Sequence, residues 1–300
     1  MKYACVIVTY NRKEKLDEAI QSILRQKETV TKIIIVDNAS TDGTKLLMEK
    51  YQGSSVIVYH RLITNKGGAM GFYTGINDAL KYDVDWISLS DDDAMYSADF
   101  FSKIAAGISR NPGVQCLTGT VKSRDGSIQC SHRKSIKNMR TLEEKNIPMT
   151  AYRSDFFLDT FTFVGAVIKK TLISTIGLPE KDFFIWKDDD EYSLRVRRHT
   201  QIKNISDAVV VHLNSNKERG FSPDWKEYYG IRNRLIIENK YADVSVQLVF
   251  KNIKFILKRF GAILLKPTHY PYIYYLTRQL VDGYIDGLKG KQGINERYRP

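Results

Sequence analysis

The stretch WISLSDDDAMY, Trp86 to Tyr96, sets a buried-strand run directly against three consecutive aspartates. Trp86–Ser90 reads as a strand, and Asp91, Asp92 and Asp93 fall at its carboxyl end. In an open α/β sheet, ligands bind outside the carboxyl ends of the strands. Neighbouring carboxylates repel one another, so their gathering at that point has two explanations. They form an acidic turn that caps the helix expected over Ala98–Arg110, or they hold a cation. Mg2+ and Mn2+ take oxygen ligands, and a metal that bridges substrate phosphates usually borrows one or two carboxylates. Asp91 and Asp93 can converge on one ion while Asp92 faces a neighbouring group. Three charges after a buried strand are more than capping requires.

The same grammar extends outward in both directions. Tyr3–Thr9, Lys32–Val36 and Ser55–Arg61 read as strands, and Lys13–Gln26, Ser40–Tyr51 and Gly68–Lys81 carry helical spacing between them. Strand–helix alternation of this kind predicts an α/β fold, a parallel sheet with helices on both faces. The pattern breaks from Thr120 to Arg153, a polar stretch with a turn signal at Asp125–Gly126 that suits a hairpin or a mobile loop. Beyond it, Phe156–Ile168 is expected as one strand, Asp188–Arg198 as a helix, Ala208–Val211 as a short strand and Trp225–Lys240 as a helix. The expected division is a sheet domain over 1–215 and a helical region over 216–300.

The chain has 300 residues, 43% of them hydrophobic, and a formal charge of +12. That size accommodates one large domain or two modest ones, and the charge favours anionic partners: nucleotide phosphates, nucleic acid or an acidic membrane surface. Three cysteines, Cys5, Cys116 and Cys130, form no CxxC pair, as in a reduced, cytosolic chain. The N-terminal apolar run is too short for a signal peptide, and no run of about 18 apolar residues predicts a membrane span.

Two further strand ends put polar groups on the same rim as the aspartates: Thr9–Asn11 in VIVTYNR, and Asp37 in IIIVDNAS. A glycine-rich segment, ITNKGGAMGFYTGIND, gives backbone N–H groups close access to an anion at a helix start. It is neither a dinucleotide fingerprint, which belongs after the first strand, nor a Walker A loop. A second acidic cluster, Asp188, Asp189, Asp190 and Glu191, follows the apolar run Phe183–Trp186. It is either a first helical turn or a carboxylate beside an apolar wall, with its pKa raised toward that of a general base. His212, after Ala208–Val211, is either structural or the completion of a two-carboxylate metal site.

These residues, in this order, resemble family 2 of the glycosyltransferases, the inverting enzymes of GT-A fold. The likeness runs from VIVTYNR through IIIVDNASTDGT and DDD to DDDEYSLR and VVVHL, about the first 215 residues. Asn65, Gly67, Gly68, Gly71 and Phe72, with FIWKDDDEYSLR and YYGIRNRL, are similar to the galactofuranosyl- and rhamnosyltransferase branch. The resemblance implies a mostly parallel nucleotide-binding sheet and a helical C-terminal extension. It implies that Thr9, Arg12 and Asp37 hold the nucleoside and that Asn65 and Gly68 line the donor sugar and diphosphate pocket, with Asp92 in the same region. Asp91, Asp93 and His212 would bind Mn2+ or Mg2+, Asp189 would be the base with Asp188 the alternative, and Arg232 would meet diphosphate charge. The implied activity is transfer of galactofuranose from its UDP donor to a lipid-linked glycan in cell-surface polysaccharide synthesis. A dTDP-rhamnose donor is the second reading.

Two rivals remain. A nucleotidyltransferase also uses acidic metal ligands, but its glycine-rich arginine loop belongs after the first strand, where TYNR stands. A non-catalytic basic binder of membrane or nucleic acid accounts for the charge and leaves both acidic clusters unexplained, so no nucleic-acid partner is expected. The stretch Val244–Lys266 has helical apolar spacing interrupted by Lys251, Lys254, Lys258 and Arg259. It is either a packed helix or a peripheral anchor on the anionic inner face of a cell membrane, which would place the protein in the cytoplasm.

Overall fold

The computed structural model describes residues 1–28, 30–213 and 221–300. The expected boundary between 215 and 216 lies outside the described residues. Two compact units emerge. The first comprises Met1–Ser135, Asn146–Lys181 and the chain from Asp189 to the undescribed stretch. The second comprises the chain after that stretch and also takes Ile136–Lys145 and Asp182–Asp188 from earlier in the sequence.

The strands are β1 (Tyr3–Thr9), β2 (Val30–Asp37), β3 (Ile57–Arg61), β4 (Trp86–Asp91), β5 (Ala94–Tyr96), β6 (Cys116–Lys122), β7 (Arg133–Asn138), β8 (Glu143–Asn146), β9 (Phe156–Leu158), β10 (Thr160–Phe161), β11 (Ala166–Lys169) and β12 (Ile202–His212). The helices are α1 (Lys13–Leu24), α2 (Thr44–Glu49), α3 (Gly67–Ala79), α4 (Phe100–Arg110), α5 (Lys170–Ile176), α6 (Asp188–Val196), α7 (Lys226–Tyr241), α8 (Val246–Leu265) and α9 (Ile273–Leu288).

The first unit is built on a sheet in the order β3-β2-β1-β4-β11-β6-β12-β5, with β9 also on β12. β1, β2, β3 and β4 are mutually parallel, and β6 and β12 run the same way, while β11, β5 and β9 run against them. Period-two alternation along β1 supplies both faces. Tyr3, Cys5 and Ile7 pack with Leu16, Ile20 and Ile23 of α1 and Phe100, Phe101 and Ile104 of α4. Ala4, Val6 and Val8 pack with Phe72, Ile76 and Ala79 of α3 and Leu172 and Ile173 of α5. The close approach of α3 to β1 depends on glycine: a Cβ at Gly71 or Gly75 would stand 2.4 Å from Val8 Cγ1 or 2.3 Å from Val6 Cγ1. Part of the glycine-rich segment therefore serves packing rather than anion binding.

Two expectations are corrected, and for 120–153 the hairpin is found in place of the loop. Phe156–Ile168 is not one strand but β9, β10 and β11, and β11 enters the sheet antiparallel between β4 and β6. The short strand at Ala208–Val211 is the end of an eleven-residue β12. The 120–153 stretch holds the end of β6, a turn closed by a bridge between Lys122 and Ile128, and then β7 and β8.

The second unit is helical. Ile231 and Leu235 of α7 pack with Ile263 of α8 and Leu280 of α9, and a second cluster joins Phe184, Tyr228, Tyr229 and Tyr298. No helix among the described residues is long and apolar enough to cross a membrane.

Candidate active site

The parallel strands end along one edge, and the register places their polar termini side by side: Thr9 pairs with Asp37, and Val8 with Asp91. The aspartates do not cap a helix. β5 intervenes, and α4 begins only at Phe100 after its N-cap, Asp99. β5 instead pairs antiparallel with the end of β12, His212 opposite Ala94. Leu213 N donates to Asp93 O at 2.8 Å. Strand pairing thus brings His212 to the aspartates across more than a hundred residues of sequence.

Ligand atoms of Asp91, Asp93 and His212 all lie within 4.8 Å of one another. His212 Nε2 stands 3.0 Å from Asp93 Oδ1 as an ion-pair contact. That oxygen is buried and makes no hydrogen bond. Asp93 Oδ2 faces Arg12 Nη1 at 2.7 Å and Lys15 Nζ at 3.5 Å. Burial, reinforced by the charge of Asp93, pushes Asp91 up to about 7. Burial also opposes charge on Asp93 and His212, but their mutual contact outweighs it, so Asp93 is lowered and His212 raised. A buried oxygen without a hydrogen bond, a neighbouring carboxylate reluctant to ionise beside it, and an imidazole nitrogen aimed at the pair make a donor set that fits a divalent cation.

Asp92 points away from that cluster, as expected of the middle residue. Its carboxylate accepts from Thr9 Oγ1 at 2.7 Å, from Arg12 Nη1 at 3.2 Å and from Tyr10 N at 3.4 Å. Burial pushes it up to about 6 against the pull of Arg12 and Thr9. Thr9 and Asp92, both expected at the nucleotide, therefore hold each other and fix the rim.

Asp37 is fully buried, one oxygen on Ser40 N at 2.8 Å and the other on the Tyr59 hydroxyl at 2.6 Å, with Arg61 at 3.5 Å. The loops after β1 and β2 are laced together: Asn11 N donates to Ser40 Oγ, Thr41 N to Asn11 Oδ1, and Lys13 N to Asp42 Oδ2. This lacing ties VIVTYNR to VDNASTDGT in space. Asn65 Oδ1 accepts from Gly67 N at 2.8 Å and shapes the start of α3, where Gly68 has open space around the position of a Cβ.

The second acidic cluster forms the first turn of α6. Glu191 is clamped by Arg195 at 2.8 Å, and Asp190 lies 3.3 Å from Lys134. Asp189 accepts the N–H of Asp190 at 2.7 Å, and Asp188 opens the helix. The backbone leading into them is held in the left-handed region, φ being +65° at Phe184, +63° at Trp186 and +73° at Lys187.

Arg232 lies in α7. It is buried, with Nε on Asn233 Oδ1 at 2.9 Å, Nη1 on Gly293 O at 2.5 Å and Nη2 on Phe183 O at 3.0 Å. Through these contacts the guanidinium braces the turn at Phe183. Asn233 completes the brace, its amide donating to the carbonyls of Phe183, Ile185 and Trp186. Sequence reasoning missed Lys15, Lys134 and Asn233. Nothing separated the two lysines from surface lysines, and Asn233 stood inside YYGIRNRL without a role assigned to it.

A family model described as "Glycosyl transferase family 2" matches residues 4–173, from β1 into α5. The chain belongs to that family. Among curated relatives, protein CgeD of Bacillus subtilis is 28% identical over 120 residues, 39% of this chain and 28% of its own length. Galactofuranosyltransferase GlfT1 of Mycolicibacterium smegmatis is 24% identical over 196 residues, 64% of each. This family 2 chain thus spans less than two thirds of the length of either relative. Among solved structures, Staphylococcus aureus TarS 1-349 in complex with UDP-GlcNAc aligns with a TM-score of 0.60 at 16% identity, over 95% of this chain and 89% of that one. GalNAc-T7 with UDP, GalNAc and Mn2+ aligns with a TM-score of 0.64 at 13% identity, over 94% of this chain and 54% of the other. The likeness is one of fold, the GT-A type. The matched span contains the aspartates, while His212 and the second acidic cluster lie beyond it.

Proposed function

We propose that this protein is an inverting glycosyltransferase that moves a sugar from a UDP-linked donor to a glycan hydroxyl. The observation that carries the reading is the convergence of Asp91, Asp93 and His212 at the sheet edge where a nucleotide is expected. A divalent cation held there, Mn2+ or Mg2+, would offset the charge of the departing diphosphate. Arg12, Asp37, Asn65 and Gly68 line the donor side. Asp189, with Asp188 the alternative, takes the proton of the acceptor hydroxyl.

Galactofuranose is the proposed sugar, supported by the NxGGxxGF and FIWKDDDEYSLR likeness and by the match to a galactofuranosyltransferase. dTDP-rhamnose is the second branch donor, and the fold shared with a UDP-GlcNAc complex of TarS adds UDP-GlcNAc to the comparison. A panel of sugar nucleotides incubated with Mn2+ and read by mass spectrometry should show turnover of UDP-galactofuranose above the other two. Turnover of none of them contradicts the transferase reading, and preference for another donor contradicts the sugar alone.

The acceptor is proposed to be lipid-linked, with the protein peripheral on the cytoplasmic face of the membrane. α8 supports this by presenting apolar residues outward: Val246, Val249, Phe250, Ile253, Leu257 and Leu264 are exposed at helical spacing, while Leu248 and Ile263 are buried. Lys254 and Lys258 flank that stripe and are exposed. Arg259 and Lys251 are instead occupied, the first by Glu227 and the second by Glu238 and Thr141 O. Attraction to an anionic surface contributes about 1 kcal/mol per basic residue, beside the apolar burial. Cosedimentation with anionic vesicles should be lost in high salt and after Lys254→Glu with Lys258→Glu. Protein that stays in the supernatant at low salt contradicts attachment.

A further inference from the structure

We propose that Gln129 is a positioning residue for the cation site, holding the His212 ring so that Nε2 is the nitrogen offered to the ion. The inference rests on reading Asp91, Asp93 and His212 as that ion's ligands.

Gln129 is set by a hairpin. Ser123 N bonds Ser127 O at 2.8 Å, Gly126 takes φ +84°, and Gln129 N bonds Val121 O at 2.9 Å. Its amide nitrogen donates to Ser123 Oγ at 3.0 Å and to the backbone carbonyl of His212 at 3.2 Å. A carbonyl oxygen only accepts, which fixes the amide orientation and turns Oε1 to the opposite side. Oε1 lies 3.2 Å from His212 Nδ1 and 2.9 Å from His132 Nε2. An amide oxygen has no proton to give, so both ring nitrogens facing it carry hydrogen.

The His132 ring is itself fixed, with Nδ1 at 2.6 Å from Thr162 Oγ1, and it meets the His212 ring edge-on at 5.2 Å. With hydrogen on Nδ1, neutral His212 directs its lone pair from Nε2, the atom 3.0 Å from Asp93 Oδ1. Gln129 thus grips both the backbone and the ring of one ligand. A hydrogen bond at the remote nitrogen is the usual means by which a metal-binding histidine is given its tautomer and orientation.

Binding of Mn2+ alone to the full chain, followed by loss of the free-ion electron paramagnetic resonance signal, tests this without reference to activity. Gln129→Leu should weaken binding by roughly 10–100-fold. Gln129→Glu keeps an oxygen for His212 Nδ1–H and loses the amide donors, so it should stay within a few-fold of wild type, which a merely structural role would not allow. Affinity of Gln129→Leu within twofold of wild type, or Gln129→Glu as weak as Gln129→Leu, overturns the proposal. If Gln129→Leu melts early, Gln129→Asn replaces it: the same group, one methylene short, should lose affinity to the same order, and wild-type affinity overturns the proposal. Wild-type protein that binds no Mn2+, or Asp93→Asn that binds it normally, sinks the cation reading itself, and the role of Gln129 with it.

Discussion

Replacing Asp93 by alanine should lower sugar transfer by about a thousandfold while the protein stays folded. The size follows from the several kcal/mol that a bound cation supplies to a developing anion, since about 4 kcal/mol corresponds to three powers of ten in rate. Asp93 is central because its Oδ1 is the buried oxygen that faces His212 without a hydrogen bond, while Oδ2 is held by Arg12 and Lys15. The fold should survive, since Arg12 keeps Asp92 and Lys15 keeps its bond to Leu213 O. EDTA should bring the wild-type enzyme to the same residual rate, and added Mn2+ or Mg2+ should restore the wild type but not the variant. Full turnover in EDTA would exclude the cation from the chemistry.

Asp189→Asn is the second large effect. Asparagine keeps the shape and removes the proton acceptor, so turnover should fall by roughly 10²–10⁴. Donor affinity should be nearly unchanged, because the proposed base serves the acceptor. Loss of turnover in Asp188→Asn with Asp189→Asn active would move the base by one residue and leave the rest of the account standing.

The features legible in the sequence were those with strong local periodicity or a strand end to mark them. β1 to β4 and the helices among them follow directly from apolar spacing, and the aspartates and His212 were visible because each closes a strand. β6 escaped notice because CLTGTVK mixes glycine, threonine and lysine into a run that is buried by its neighbours β11 and β12. β5 is three residues long and exists through its pairing with β12. Both depend on chain segments far away, which periodicity does not register.

The site divides in the same way. Its Asp–Asp–His cluster was legible by residue type and position. Its supports were not: Gln129 is uncharged and lies in no motif, and Asn233, though inside YYGIRNRL, is uncharged and next to a more conspicuous arginine. Arg232 shows the converse: a guanidinium in a charged segment looks exposed, yet it is buried with donors on Phe183 O and Gly293 O.

Calorimetric titration of UDP into the wild-type protein, with Mn2+ and then with EDTA, asks whether the sheet edge bearing Asp91, Asp93 and His212 receives a nucleoside diphosphate through a cation. Saturable binding in Mn2+ that disappears in EDTA is the predicted result. UDP binding of equal strength in both, or in neither, would contradict it.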